Sequence, residues 1–352
     1  MRKGKPIIRG LALLLLLALL PLGGCGKRKQ TYTETSFAWF DTVTTLTGYE
    51  TDKEQFDAVW KTLREELDSF HKLYDIYHAY EGICNLYTVN ERVDGVHREV
   101  KVDEKIMGLL LFGAEIHEKT DGRVNIAMGS VLSLWHTYRQ KGRENPEEAS
   151  LPPQNELEEA AKHTDLYAMI LNEEEKTVYL SDPHMLLDVG AVAKGYAAEM
   201  VAKRLEAEGV SGYVLNLGGN VRALGGHADG SPFSIGVENP DREGEEPYVS
   251  VLNLHGGSLV TSGSYQRYYT VAGKNYHHII DPTTLMPAIG YRSVSVTCPS
   301  SAQADALSTA LFLLPVEEGK RLLTDFPDAE AMWILEDGQV FATDGWKEAE
   351  QK

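Results

Sequence analysis

The chain is poor in cysteine, in positive charge and in long apolar runs, and each shortage removes a class of protein. Cys25, Cys84 and Cys298 are its 3 cysteines in 352 residues. None stands at metal-ligand spacing from another, so no thiolate zinc site is expected. Cys84 and Cys298, far apart in sequence, read as two small buried side chains rather than as a bonded pair. Lysine and arginine number 34 against 52 acidic residues, a formal net charge of −18. Such a surface repels nucleic acid and anionic lipid, and both are set aside as partners. No repeat of fixed period is present, and helix and strand patterns do not alternate regularly as βαβ units require.

What is present begins with a leader. Arg2, Lys3, Lys5 and Arg9 precede residues 11–20, which are almost pure Leu and Ala. That run is shorter than the roughly 20 residues needed to span a bilayer. Leu22-Gly23-Gly24-Cys25 then reads as a lipoprotein cleavage box. Residues 1–24 are expected to be a signal peptide. Cys25 becomes the lipidated amino terminus, 25–36 a polar tether, and 37–352 one domain held on the extracytoplasmic side of a bacterial cell membrane. A plain secretory signal or an uncleaved anchor is the alternative. Loss of the four leading cations makes the mature chain more acidic still.

Residues 37–49 alternate with Thr and Val and read as a first strand. Over 53–74, Phe56, Val59, Trp60, Leu63, Leu67 and Phe70 recur at helical spacing, which predicts an amphipathic helix with an acidic outer face. A second helix is expected over 102–119, stopped at Thr120-Asp121-Gly122, and a third, shorter one over 131–138. The charged, proline-bearing stretch 142–153 reads as an exposed loop. A hairpin turns at Asn172-Glu173-Glu174-Glu175. After a helix over 191–208 come β-like runs at 213–217, 233–237, 249–254, 265–271 and 291–297. A helix over 302–314 is ended by Pro315, and a last hairpin turns at Glu336-Asp337-Gly338. The mixed order makes α+β the expected class.

Five segments carry the chemistry. In Leu187-Asp188-Val189-Gly190-Ala191-Val192-Ala193-Lys194-Gly195 a strand is taken to end at Leu187, and a helix begins near Ala191. Backbone N–H groups at a helix start favour anions. Lys194 in that first turn opposes the helix dipole unless an anion such as a phosphate is near, and small Ala193 and Gly195 permit a ligand to approach. The segment is neither a Walker loop nor GxGxxG, and an exposed surface lysine is the plainer alternative. In Asn216-Leu217-Gly218-Gly219-Asn220 two glycines make a tight turn, either structural or ligand-facing. Asp305 and Thr309 lie four apart in Ala304-Asp305-Ala306-Leu307-Ser308-Thr309-Ala310-Leu311, so a carboxylate and a hydroxyl share one helix face. Their hard oxygens suit Mg²⁺, with helix capping by Asp305 as the alternative. In His277-His278-Ile279-Ile280-Asp281-Pro282, His278 ends a strand and enters an Asp-Pro turn, a place for a general base. His277 should face the other way, and a structural role for the histidine is the alternative. With Thr261-Ser262-Gly263-Ser264-Tyr265, these form the inventory of a site for a phosphorylated cofactor and a hard metal.

In this order the five segments resemble the ApbE family, the FAD:protein FMN transferases. The family pattern runs D-[LV]-G-x-[IV]-A-K-G, N-[LV]-G-G-[DN], T-S-G-[DS]-Y-x-R-Y, H-[IV]-[IV]-D-P-x-T and A-D-A-L-[AS]-T-A-[LM]. The likeness runs from Phe40-Asp41-Thr42 to the last hairpin. It implies a T-fold-like α+β single catalytic domain with mixed, largely antiparallel sheets and flanking helices. It implies Mg²⁺-dependent splitting of the FAD pyrophosphate, transfer of FMN to a threonine hydroxyl of an acceptor flavoprotein as a phosphoester, and release of AMP. Carried over residue by residue, His278 is the catalytic base, and Asp188, Lys194 and Ile279 contact FAD. Tyr77 and Arg123-Val124-Asn125 join them on looser matches. Ala191 through its carbonyl, with Asp305 and Thr309 through their side chains, would hold Mg²⁺. The implied partners are FAD, acceptor subunits of membrane electron-transport complexes, and the membrane itself through the lipid anchor. Three places depart from the pattern: Phe40-Asp41-Thr42 for Met-Gly-Thr, Asn125 for Asp, and Leu285-Met286-Pro287 for Gly-[RK]-Pro. Two further readings remain: an FAD pyrophosphatase yielding FMN and AMP, which would use the same residues, and a non-enzymatic flavin-binding lipoprotein, which would need neither the metal pair nor His278. The chain has no Asp-Gly-x-[ST]-[ST]-[AG]-Thr stretch of its own, so a transferred FMN goes to another protein.

Overall fold

The structure, a computed structural model, describes residues 29–241, 244 and 246–351. The expected signal peptide and Cys25 lie outside the described residues. The chain begins with β1 (Gln30–Ser36), β2 (Thr44–Glu50), α1 (Lys53–Tyr74), α2 (Leu86–Asn90), β3 (Val100–Lys101), α3 (Glu104–Lys119), α4 (Gly129–Glu144) and α5 (Gln154–Ala161). It continues through β4 (Met169–Asn172), β5 (Thr177–Leu180), α6 (Ala193–Ala207), β6 (Tyr213–Leu217), β7 (Asn220–Leu224), β8 (Phe233–Glu238) and β9 (Tyr248–Leu254). It ends with β10 (Gly257–Gly263), β11 (Tyr268–Val271), β12 (Lys274–His277), β13 (Tyr291–Cys298), α7 (Ser301–Phe312), α8 (Val316–Leu322), β14 (Glu330–Leu335), β15 (Val340–Ala342) and α9 (Asp344–Ala349).

Strand alternation builds two cores on one sheet. Eight strands pair antiparallel in the order β1-β2-β6-β7-β10-β13-β14-β15. Successive side chains point to opposite faces, so Val260 and Trp333 join the core under α7 while Leu259 and Met332 join the core on the other face. Helix α1 covers the β1–β2 end through Phe56 and Leu63, α6 covers β6 and β7, and α7 covers β10 and β13. The β8–β9 hairpin and Trp346 of α9 close the opposite face. A fourth cluster joins Val131 and Trp135 of α4, Leu157, Tyr269 of β11, Ile280 and Leu285. It fastens the β11–β12 hairpin and the turn after it beside the sheet. The architecture is the expected α+β arrangement with antiparallel sheets and flanking helices.

Several boundaries differ from the sequence reading. Most of the segment expected as a tether, 25–36, is not one, because Gln30–Ser36 pairs with β2 along its whole length. Its Thr and Tyr residues favour a strand, and it is an edge with no continuous apolar face to announce it. The first strand does not run over 37–49: Phe40 and Asp41 take φ of 54° and 50°, which ends extended pairing until Thr44. No strand ends at Leu187, since that segment contributes one isolated parallel bridge, Met128 to Leu186. Helix α4 continues through Gly142 into the expected loop, because Gly142 is buried against Tyr269 and Ala149. The strand expected over 265–271 starts at Tyr268, and β7 and β10, central to the sheet, lie where the sequence pattern predicts no strand. Cys84 is half-buried and Cys298 buried, and both are free.

Candidate active site

The chemistry collects where α6 and α7 cross. Val192 at the α6 N-cap makes no side-chain cap bond, leaving N–H groups of the first turn without intrahelical partners. Gly195 N–H donates instead to Asp305 Oδ2 of α7 at 2.7 Å. A carboxylate at a helix N-terminus is also favoured by the dipole. The exchange is reciprocal: Glu199 of α6, 4 % exposed, accepts from Ser301 N–H at the start of α7 at 2.8 Å. Each helix therefore caps the other. Gly195 is required by this packing, since a Cβ there would meet Asp305 Cβ at 2.3 Å and Ser301 O at 2.5 Å. The close approach is of α7, not of a ligand as the sequence suggested. Asp305 does not cap its own helix either; Ser300 does, accepting from Gln303 N–H.

Arg222 of β7 supports the crossing from below, with Nε 3.4 Å from Glu199 Oε2 and Nη2 3.1 Å from Glu206 Oε1. Lys194 Nζ stands 3.7 Å from Asp305 Oδ1. The anion that offsets this cation at the start of α6 is thus Asp305. Burial raises the Asp305 pKa, and Lys194 and the Gly195 N–H oppose that rise.

Asp305, Thr309, Ala191 and Lys194 share one cleft with His278 and Ile279. Asp188, Tyr77, Arg123, Val124 and Asn125 line the same cleft. The structure thus brings together every site residue expected from the sequence. Asp188 Oδ1 accepts from Gly190 N–H at 2.8 Å, and burial raises its pKa against the pull of that bond and of His136 and Arg139. Asn125 turns inward to the backbone, accepting from Ala127 N–H and donating to the Thr164 carbonyl. Tyr77 stacks on His136, rings 4.9 Å apart, and burial pushes its hydroxyl up to about 12.

The two histidines separate where β12 ends, His277 closing the strand and His278 standing in the bend after it. His277 Nε2 donates to the Ala288 carbonyl at 2.7 Å, and Nδ1 accepts from Ile279 N–H. Both ring nitrogens are used, so this ring is structural. His278 lines the cleft, and its Nδ1 donates to the Arg267 carbonyl at 3.3 Å. A carbonyl can only accept, so that bond leaves Nε2 as the basic nitrogen. Burial, then Arg267, His277, Arg139 and Lys194, lower the His278 pKa to about 3. The ring is neutral at physiological pH.

Residues missed from sequence form much of the cleft wall. Arg139 and His136, three apart on α4, bond to one another at 3.1 Å. Such a pair resembles any solvated helix face, and it carried no signal. Arg267 donates to the Phe40 and Asp41 carbonyls, both at 3.3 Å. It is the Arg of the third motif pattern, whose spacing alone assigns it no role. Asn220 also lines the cleft.

An antiparallel α+β scaffold, with Lys194, Arg123, Arg139 and Arg267 facing two carboxylates and a neutral histidine, defines a protein built to take a phosphate-bearing ligand. The sequence model of the ApbE family matches residues 40–333. The chain belongs to the ApbE family. A Treponema pallidum protein named FAD:protein FMN transferase is 35 % identical over 260 residues, 70 % of this chain and 70 % of that one. An Escherichia coli protein of the same name is 31 % identical over 246 residues, 69 % and 68 % of the two chains. The crystal structure of the ApbE protein of Thermotoga maritima superposes with a TM-score of 0.78 at 28 % identity, covering 92 % of this chain and 100 % of that one.

Proposed function

We propose that the protein takes FMN from FAD and transfers it to a threonine hydroxyl of an acceptor flavoprotein, in a reaction that requires Mg²⁺. The observation that carries this reading is the convergence of Asp305, Thr309 and Lys194 with a neutral His278 in one cleft. Storage of a flavin needs neither a cation site nor a base. The donor set fits the metal: a carboxylate, a hydroxyl and the Ala191 carbonyl are hard oxygens. No cluster of three or more His, Cys, Asp or Glu side chains able to hold a metal occurs among the described residues. A site with one carboxylate suits Mg²⁺, which keeps waters and substrate phosphate oxygens in its shell. Bound there, it would neutralise charge on the pyrophosphate.

Phosphoryl transfer is catalysed chiefly by positioning and charge neutralisation. Lys194, fixed by the α6–α7 crossing, neutralises phosphate charge. Arg123, Arg139 and Arg267 attract an anionic substrate into a protein whose bulk charge repels it. His278 Nε2 takes the proton from the acceptor hydroxyl. The threonine Oγ forms a bond to the FMN phosphorus, the pyrophosphate P–O bond breaks, and AMP leaves with its electron pair. The phosphates offset the cations around His278, which moves its pKa back toward the range useful to a base.

The test is incubation of the purified mature chain with FAD, Mg²⁺ and a candidate acceptor domain. Flavin fluorescence on the denatured acceptor supports transfer; free FMN and AMP with no labelled acceptor would establish the pyrophosphatase instead. The reading includes a location, with diacylated Cys25 holding the domain on the outer face of the cytoplasmic membrane, near acceptor subunits of electron-transport complexes. Two acyl chains suffice for stable anchoring. Cys25→Ala should abolish processing and membrane retention; persistence of both would refute the anchor.

A further inference from the structure

Asn220 follows the Gly218-Gly219 turn as the first residue of β7. The two glycines have φ of 61° and 92°, a hairpin geometry that requires positive φ at both central positions. The turn pairs Asn220 with Leu217, and β10 pairs it with Val260. Both neighbours hold it firmly at the cleft wall. The residue is 1 % exposed and lines the cleft. Neither Oδ1 nor Nδ2 has a hydrogen-bond partner among the described residues. The amide lies beside Asp305, yet makes no bond of good geometry to it.

Leaving a buried polar group unpaired costs about 1–3 kcal/mol, and unpaired groups of this kind are rare in folded proteins. An amide is a poor choice for this position unless something pairs with it. Asp305 supplies the second clue. Its Oδ2 is held by Gly195 N–H, while Oδ1 has Lys194 at 3.7 Å, beyond hydrogen-bond distance. One carboxylate oxygen and one amide are thus left together in the wall that also carries Thr309 and Ala191. An amide can offer its oxygen to a cation and an N–H to a carboxylate at the same time. Side-chain carbonyls are ordinary ligands for hard divalent cations.

We propose that Asn220 is a fourth protein contact of the divalent-cation site, its Oδ1 directed to the cation and its Nδ2 to Asp305. The inference rests on the reading of Asp305, Thr309 and Ala191 as that site. It explains why the two-glycine turn ends in an amide, which a purely structural turn would not require.

The experiment measures Mn²⁺ affinity by electron paramagnetic resonance on the full mature chain with saturating FAD, beside FAD affinity without metal by flavin fluorescence. Asn220→Ala should weaken Mn²⁺ binding at least ~10-fold, the scale of lost groups around a metal site, and leave metal-free FAD affinity unchanged. Asn220→Asp keeps the oxygen and brings a second carboxylate to Asp305. It should tighten Mn²⁺ binding and make it steeper with pH. Parental Mn²⁺ affinity in both variants overturns the inference. Should Asn220→Ala fail to fold, the near-isosteric Asp variant decides, and an unmoved affinity there overturns it too. Asp305→Ala separates the two levels. If it also retains parental Mn²⁺ binding, the cation-site reading itself falls. If it loses binding while the Asn220 variants keep it, only the role of Asn220 falls.

Discussion

On the floor of the cleft, Asp305 and Thr309 ride on a helix tied to its neighbour at both Gly195 and Glu199. On the rim, His278 and Arg267 belong to a two-stranded hairpin and its flanking turns, and Tyr77 to the loop after α1. The floor is held by reciprocal capping and by contacts that leave no room for a Cβ. The rim is held by the satellite core around Trp135, whose Nε1 donates to the Leu285 carbonyl at 2.9 Å. The rim also carries backbone strain, with Asp41 and Leu285 at φ of 50° and 61°. Both stand where the family pattern has glycine, so the chain keeps a left-handed backbone without the residue that adopts it most easily. The floor thus leaves no room for a side chain at Gly195, whereas the rim holds non-glycine residues in a left-handed backbone at a cost in strain.

The largest expected effect falls on the floor. Asp305→Ala should reduce Mg²⁺-dependent FMN transfer to background, because it removes the one carboxylate of the proposed cation site and the cap of α6. Thr309→Ala should lose only ~10–100-fold and recover partly with excess Mg²⁺, since water can replace a neutral hydroxyl. Single-turnover assays across a Mg²⁺ series measure both; equal losses would erase the distinction between charged and neutral ligands.

On the rim, His278→Asn should slow transfer by at least ~100-fold, the low end of general-base contributions, while FAD still binds. His277→Ala should instead lower the melting temperature, because both of its ring nitrogens are bonded. If His277 proves the essential one, the register of β12 is misread.

The pH dependence of His278 tests the cations around it. Its folded pKa of about 3 lies below the ordinary 6.5. The unfolded chain therefore binds a proton that the folded chain refuses, so this ring costs stability as pH falls from 6.5 toward 3 and nothing above that window. His278→Asn should lose less stability than the parent on acidification, read from chemical denaturation at a series of pH values. Saturating FAD should raise the His278 pKa in histidine NMR titrations; an unmoved value would mean that the phosphates lie away from the ring.

Glu199→Ala should cost ~1–3 kcal/mol, the penalty for leaving the buried Ser301 N–H without its acceptor, and more in so far as Arg222 is left with Glu206 alone. Glu199→Gln, which retains an acceptor for Ser301 N–H, should cost less. Denaturant titration of both variants separates the cap from the charge. The smallest effect belongs to the rim: Asp41→Gly should relieve left-handed strain and stabilise by up to about 1 kcal/mol, visible as a modest rise in melting temperature.

The sequence by itself determined the local elements and the chemical inventory. The spacing from Phe56 to Phe70 reports one helix face, and α1 spans the expected Lys53–Tyr74. Asp305 and Thr309 share a face because α-helical periodicity makes them do so. The opposition of His277 and His278 is what strand alternation predicts, but β12 ends at His277 and it is the bend after it that turns His278 to the cleft. What periodicity cannot report is which elements meet. That Gly195 faces α7 rather than a ligand, that Glu199 and Asp305 exchange caps, and that Arg139 reaches the cleft all depend on packing between segments distant in the chain. The β1 edge was hidden because its polar residues mimic a tether. The central strand β10 was hidden because Gly, Ser and Thr surround only Leu259 and Val260, and β7 because its alternation of Val221 and Ala223 with Asn220 and Arg222 lasts only five residues directly after a glycine pair. The burial of Asn220 was invisible for the same reason: an amide after two glycines reads as a turn until the neighbouring strand and helix close over it.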